Sequence, residues 1–138
     1  MATVRTSTRL NASADRVWDL IGDFNALPSW HPAVKASHLE TKDGATLRRL
    51  TLADGGVILE RLEGTAEREY RYSYLEHPFP IADNLVTLRV RDEAGGGSTV
   101  EWSAELTPQG VSEAEATAIL QGIYQAGLDN LRDVFGAG

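Results

Sequence analysis

Six runs of strand length follow one another between Ala33 and Leu106, and they leave little of the chain for any other structure. The runs are rich in β-branched and aromatic residues, and short segments bearing Gly, Asp or Pro separate them. Such spacing is typical of antiparallel strands joined by tight turns. The runs read AVKASHLE, ATLRRLTL, GVILERLE, EYRYSYLE, LVTLRVRD and STVEWSAEL. The segment therefore predicts an antiparallel meander.

The last run indicates that the sheet has one apolar and one polar face. Val100, Trp102, Ala104 and Leu106 alternate with polar residues. Because successive side chains of a strand point to opposite faces, these four residues share one face. An apolar face of this kind needs another element to cover it.

The flanking segments predict one more strand and three helical elements. TVRTSTRL (3–10) is rich in β-branched residues, SADRVWDLIGD (13–23) begins with the N-cap residue Ser13, and FNALPSWHP (24–32) predicts a short helix or turn. After the sheet, Ser112-x-x-Glu115 forms a capping box. From there, apolar residues recur at helical spacing: Ala116, Ile119, Leu120, Ile123, Leu131 and Val134, with Gly127 among them. About 24 helical residues would extend ~36 Å, enough to lie across the sheet.

Composition narrows the classes of partner. The 138 residues suit one domain, taken as residues 1–138, and the formal net charge of −7 disfavours nucleic acid and anionic membrane surfaces as partners. The adjacent pair Arg48-Arg49 is interpreted as part of a solvated face. The chain has no cysteine, and its N-terminus lacks the apolar stretch of a signal peptide, so a cytoplasmic location is expected. Three scattered histidines favour neither a metal site nor a cofactor site.

The order of elements resembles the helix-grip fold of the START/Bet v 1-like (SRPBCC) superfamily. The blocks DFNALPSWHPAV, LRRLTLADGGVILERLE and REYRYSYLEHPFPIADNLVTLRV resemble those of bacterial polyketide cyclase/dehydrase-like proteins. The resemblance implies an α+β fold. In it, a seven-stranded curved antiparallel sheet, two short helices after strand 1 and a long C-terminal helix enclose a ligand cavity. Such cavities run to ~300–1,000 Å³.

Strand parity indicates which side chains line that cavity. The candidates from the strands are Ile58, Glu60, Leu62, Tyr70, Tyr72, Tyr74, Asn84, Val86, Leu88 and Trp102, and those from the long helix are Ile119, Ile123 and Gly127. An inward Glu60 needs a partner, since a lone buried charge is costly. Gly127 costs roughly 1 kcal/mol in a helix interior relative to alanine, which suggests that it leaves room for a ligand or for close sheet contact.

Trp30 and His31 are the candidates for the cavity mouth. Their segment resembles that of plant abscisic acid receptors, in which a lysine anchors the hormone's carboxylate. His31 falls on that lysine and Glu60 on a glutamate of the receptor's polar network, while ADGG (53–56) and EHPFP (76–80) take the places of its gate and latch. A histidine in place of the lysine weakens the anchor for an anion. The alternative is a corner that packs the short helices against the sheet.

Three functions remain open at this point. The first is binding of a small hydrophobic or aromatic molecule that is lipid-, polyketide- or hormone-like. The second is a cyclase, aromatase or dehydratase activity, with His31 and Glu60 as the acid–base pair. No nucleophile motif is present, so non-covalent proton transfer is the chemistry that the residues favour. The third is a structural protein whose own side chains fill the cavity. A homodimer remains possible in each case.

Overall fold

The computed structural model describes residues 1–138 and contains seven strands, two α-helices and one short 3₁₀ helix. The strands are β1 (Ala2–Leu10), β2 (Val34–Lys42), β3 (Ala45–Leu52), β4 (Val57–Ala66), β5 (Glu69–Glu76), β6 (Ile81–Asp92) and β7 (Ser98–Pro108). The helices are α1 (Ala14–Ile21) and α2 (Glu113–Phe135), and the 3₁₀ helix covers Leu27–Ser29. The predicted α+β helix-grip architecture is confirmed.

The strands form one antiparallel sheet in the order β1-β7-β6-β5-β4-β3-β2. Every strand from β2 onward pairs with its neighbour in sequence, as expected for a meander with short turns. The register shifts between Leu59 and Glu60 and again between Leu62 and Gly64, where β4 pairs with β5. Such irregularities bend a strand and increase its twist. The curved sheet therefore has a concave apolar face on which the core is built.

Side-chain caps start both α-helices. Ser13 Oγ accepts a hydrogen bond from the N–H of Arg16, and Ser112 Oγ accepts one from the N–H of Glu115. These bonds satisfy backbone donors that have no partner inside the helix. At its other end, α2 is joined to β1, since the N–H of Asn11 donates to the carbonyl of Gly136 at 2.9 Å. The long helix is thus fixed across the concave face.

The buried stripe of α2 differs in part from the predicted one. Ala116, Leu120, Gly127 and Leu131 are buried as expected, but Tyr124 and Leu128 are buried with them. Ile119 is 42% exposed, so its predicted place in the cavity wall is wrong. It lies about 100° around the helix from Leu120, which points it away from the sheet. Neither α-helix is both long enough and apolar enough to cross a membrane.

Candidate ligand-binding cavity

A cavity lies between the concave face of the sheet and α2. Eleven of its thirteen lining residues are apolar, and the other two are His31 and Glu60. Its volume is about 80 Å³, which is smaller than the range expected from the sequence. The lining residues are Leu27, His31, Ala33, Val34, Leu50, Leu52, Ile58, Glu60, Tyr72, Tyr74, Phe79, Trp102 and Ile123.

Glu60 is held by a buried arginine. Arg48 and Glu60 lie directly opposite each other on β3 and β4, with both side chains on the concave face. Arg48 Nε and Nη2 both donate to Glu60 Oε1, at 2.8 and 2.5 Å. Arg48 is fully buried, so the expectation that it belongs to a solvated face is wrong. The expectation applies better to Arg49, whose partly exposed side chain pairs with Glu40.

Further groups surround the Arg48 guanidinium. Its Nη1 donates to the carbonyl of Phe24 at 2.6 Å and to the hydroxyl of Tyr70 at 3.4 Å. The guanidinium carbon also lies 4.0 Å from the centre of the Phe24 ring and 4.9 Å from that of Tyr72, within cation–π range. Arg48 is therefore bonded on the side away from the cavity, and it is not a lining residue.

The electrostatics of the pair follow from burial and mutual attraction. Burial acts to lower the pKa of Arg48, but Glu60 and the neighbouring tyrosines raise it above its ordinary value. Burial raises the pKa of Glu60, and Arg48 opposes that rise. An arginine does not deprotonate in a protein, so a neutral Glu60 would leave a buried cation without compensation. The two side chains therefore form an ionised pair.

Three tyrosines of β5 form an aromatic row beneath the helix. Tyr70, Tyr72 and Tyr74 have ring centres 5.9 and 5.8 Å apart, consistent with their shared face. Tyr74 and Tyr124 exchange a hydroxyl hydrogen bond of 2.9 Å, while Tyr72 Oη accepts from Trp102 Nε1 at 3.1 Å. Burial raises the pKa of Tyr72 and Tyr74 well above the ordinary value. These phenols are neutral hydrogen-bonding groups at physiological pH.

Both ring nitrogens of His31 are bonded to the backbone. Nδ1 accepts from the N–H of Ala33 at 3.1 Å, so the proton lies on Nε2, which donates to the carbonyl of Ile123 at 2.8 Å. Burial lowers the pKa of His31 below its ordinary value, against the opposing effect of the Ile123 carbonyl. His31 therefore ties the loop before β2 to the middle of α2 as a neutral imidazole.

Trp30 packs beside the cavity and does not line it. The side chain is 1% exposed, and its ring centre lies 5.3 Å from that of Trp102. A Cβ at Gly127 would come within 2.7 Å of His31 Cδ2, 2.9 Å of Trp102 Cζ3 and 3.1 Å of Trp30 Cζ3. The glycine thus allows close aromatic packing and leaves no volume for a ligand. Trp30 therefore fits the alternative reading of its segment, in which it forms a corner that packs the short helices against the sheet.

Phe79 closes one side of the cavity from the loop between β5 and β6. Its N–H donates to His77 Nδ1 at 3.1 Å, and the two rings stack with centres 5.6 Å apart. The Phe79 ring also meets that of Tyr74 edge-on at 5.2 Å. The loop EHPFP therefore supplies a wall, in the position that the resemblance gives to a latch.

The chain matches a known protein family over almost its whole length. The family model described as "Polyketide cyclase / dehydrase and lipid transport" matches residues 1–136. The chain belongs to this family. The predicted relationship to polyketide cyclase/dehydrase-like proteins is confirmed, and with it a coarse role in binding a ligand or acting on a polyketide. No curated protein matches the chain.

Solved structures agree with the family assignment. The protein XoxI from Bacillus cereus is 40% identical, with a TM-score of 0.91 over 98% of this chain and 96% of its own. The Zhui aromatase/cyclase from Streptomyces sp. R1128 is 18% identical with a TM-score of 0.71, over 99% and 97% of the two chains. A START superfamily protein from Mycobacterium smegmatis is 15% identical with a TM-score of 0.79, over 98% and 97%. The last two similarities establish the fold alone.

In this polyketide cyclase/dehydrase family member, the cavity brings together about half of the side chains predicted for it. His31, Ile58, Glu60, Tyr72, Tyr74, Trp102 and Ile123 line it. Trp30, Leu62, Tyr70, Asn84, Val86, Leu88, Ile119 and Gly127 do not. Val86 and Leu88 are fully buried in the core, and Tyr70 contacts Arg48. Asn84 Oδ1 accepts from the N–H of Tyr74, and its Nδ2 donates to the Tyr74 carbonyl, so its amide joins β5 to β6.

The remaining lining residues were missed from the sequence. They are Leu27, Ala33, Val34, Leu50, Leu52 and Phe79. Leu50 and Leu52 are two residues apart on β3 and so share a face, and this period-2 spacing could have identified both. The other four lie in the 3₁₀ helix, at the start of β2 or in loops, and carry no periodic signal. No group of three or more His, Asp or Glu side chains is arranged to hold a metal ion.

Proposed function

We propose that this protein binds a small, largely apolar or aromatic molecule in the cavity between the sheet and α2, without covalent chemistry. The observation that carries the proposal is an apolar enclosure that contains one buried carboxylate. Burial of apolar ligand surface would supply affinity at ~25 cal/mol per Å². Aromatic side chains from β5 and β7 would contact the flat face of a ring.

The small volume sets the size of the ligand. About 80 Å³ favours a single small ring over an extended chain. Even one ring requires the walls to move apart, because the engineered apolar cavity that binds benzene has a volume of ~150 Å³. Leu52 and Phe79 lie at the ends of connections between strands, where backbone movement is least costly. A larger ligand would enter only if these two side chains moved outward.

The cyclase or dehydratase alternative has weaker support. It assigns acid–base roles to His31 and Glu60, yet His31 Nδ1 and Nε2 are both bonded to the backbone. Proton transfer at either nitrogen would first require that one of these bonds break. Glu60 faces the same cavity but is paired with Arg48, which favours the carboxylate over a proton-donating form.

Two substitutions on one strand test the binding proposal. Leu50→Phe adds a ring into the cavity, whereas Leu47→Phe makes the same change on the opposite face of β3, outside the cavity. Overpacking costs about 1–3 kcal/mol of stability, so both variants are expected to fold. Binding of toluene and 4-methylphenol is measured from amide chemical shifts of the cavity residues. We expect Leu50→Phe to abolish the shifts and Leu47→Phe to retain them.

Two outcomes would contradict the proposal. One is that neither compound shifts the cavity residues of the natural protein, even at millimolar concentration. The other is that Leu50→Phe binds both compounds as well as Leu47→Phe does, since the compounds would then occupy another surface.

A further inference from the structure

One oxygen of the buried carboxylate has no hydrogen bond within the protein. Arg48 Nε and Nη2 both donate to Glu60 Oε1, and no donor lies within bonding distance of Oε2. Glu60 is 2% exposed and lines the cavity. Oε2 is not among the fully enclosed polar atoms that lack a partner, so it borders the cavity space, where an occupant can donate to it. The missing donor is therefore expected from whatever enters the cavity.

Tyr72 offers the complementary group on the cavity wall. Its Oη accepts from Trp102 Nε1, but its own O–H donates to no acceptor in the protein. Tyr72 lies on β5, the strand next to that of Glu60, and its pair with Leu62 is two residue pairs along the ladder from the Glu60–Tyr74 pair, so both side chains are on the same face. The cavity wall thus carries one free acceptor and one free donor among apolar side chains.

Arg48 does not offer a site for an anion. All three of its nitrogens donate to Glu60, the Phe24 carbonyl or Tyr70, and it does not line the cavity. Glu60 stands between Arg48 and the cavity space. A ligand carboxylate would therefore meet the negative charge of Glu60 in a low-dielectric enclosure, which is unfavourable.

We propose that the cavity selects a neutral ring bearing a hydroxyl group, which donates to Glu60 Oε2 and accepts from Tyr72, and that it rejects carboxylates. The ligand class is thus a phenol or a cyclic enol or alcohol. This inference rests on the proposed binding function, and it replaces the anion anchor that the abscisic acid receptor resemblance implies with a site for a neutral donor.

Three probes that share a ring and a methyl group test the selectivity. They are 4-methylphenol, 4-methylanisole and 4-methylbenzoate, which differ in offering a donor, an acceptor alone or an anion. Dissociation constants are measured from amide shifts of the cavity residues near pH 7. A hydrogen bond to a charged group predicts that 4-methylphenol binds about tenfold tighter than 4-methylanisole. No binding of 4-methylbenzoate is expected.

A double variant tests whether Glu60 is the source of the preference. Glu60→Leu alone would leave the buried charge of Arg48 without a partner and strongly destabilise the fold, so it is combined with Arg48→Met. We expect Arg48→Met/Glu60→Leu to bind 4-methylphenol and 4-methylanisole with affinities within about threefold of each other. The comparison of the three probes on the natural protein does not depend on whether this double variant folds.

The outcomes separate the inference from the proposed function. Equal affinity for 4-methylphenol and 4-methylanisole, or tight binding of 4-methylbenzoate, would overturn the inference and leave cavity binding intact. An undiminished phenol preference in the double variant would also overturn it. If toluene and all three probes leave the cavity residues unchanged, the proposed function fails, and the inference fails with it.

Discussion

At the scale of single residues, the main departure from expectation is an arginine that sequence reasoning placed at the surface. Arg48 shares its parity with Leu50 and Leu52, and it pairs with Glu60 directly across the ladder. The sequence indicated that an inward Glu60 needs a partner. The sequence did not identify Arg48 as that partner, because the register of β3 against β4 depends on turn geometry and bulges that a single sequence does not fix.

The buried pair leads to a prediction about stability. Removing one member leaves an uncompensated charge in the core, so Arg48→Met alone should lower the free energy of unfolding by about 3–5 kcal/mol. Arg48→Met/Glu60→Leu leaves no charge and should lie within about 2 kcal/mol of the natural protein, because apolar replacements of buried pairs are often well tolerated. Urea unfolding followed by circular dichroism measures both. A double variant less stable than the single one would contradict this account.

At the scale of elements, the seven strands and both helices were predictable because each carries a local signal. Period-2 alternation marks β7, the Gly- and Asp-bearing turns separate the strands, and serine caps begin α1 and α2. The rotation of α2 was less predictable. Tyr124 turns inward because its phenol finds a partner in Tyr74, and Ile119 is then left on the exposed side. That hydrogen bond belongs to the tertiary structure and has no local signature.

The two glycines inside α2 provide a matched pair of substitutions. Gly122 has open space where a Cβ would lie, so Gly122→Ala should raise the free energy of unfolding by up to about 1 kcal/mol through helix propensity. At Gly127, a Cβ would press on the rings of His31 and Trp102. Overpacking of that kind should outweigh the propensity gain, so Gly127→Ala should lose about 1–2 kcal/mol. Chemical denaturation of both variants gives the comparison.

The result that would contradict this reading is a stabilising Gly127→Ala. It would mean that the aromatic rings move aside at little cost, and that the glycine is incidental to the packing of α2 on the sheet. Such movement would also change the shape of the cavity, because the side chains of His31 and Trp102 line it.

At the scale of the whole molecule, the presence of a cavity followed from the element order, but its size did not. A helix across a curved sheet leaves space that depends on how far each side chain reaches. Phe79 enters that space from a loop and Leu27 from the 3₁₀ helix. Whether the enclosure has about 80 Å³ or several hundred Å³ therefore depends on how closely these side chains pack. The sequence therefore predicted the enclosure and part of its lining, and packing determined the rest.

Global stability should depend on pH through His31, because its ring joins the loop before β2 to α2. The folded protein holds its pKa below the ordinary value of 6.5, so the unfolded chain takes up a proton first as pH falls. The contribution of neutral His31 is then fully present above pH 6.5 and is lost as pH falls through the lower folded pKa. Urea midpoints at about pH 7.5 and about pH 5 should differ more in the natural protein than in His31→Gln. A His31 ring titrating above 6.5 by NMR, or an equal pH dependence in the variant, would show that its two backbone bonds do not hold the neutral form.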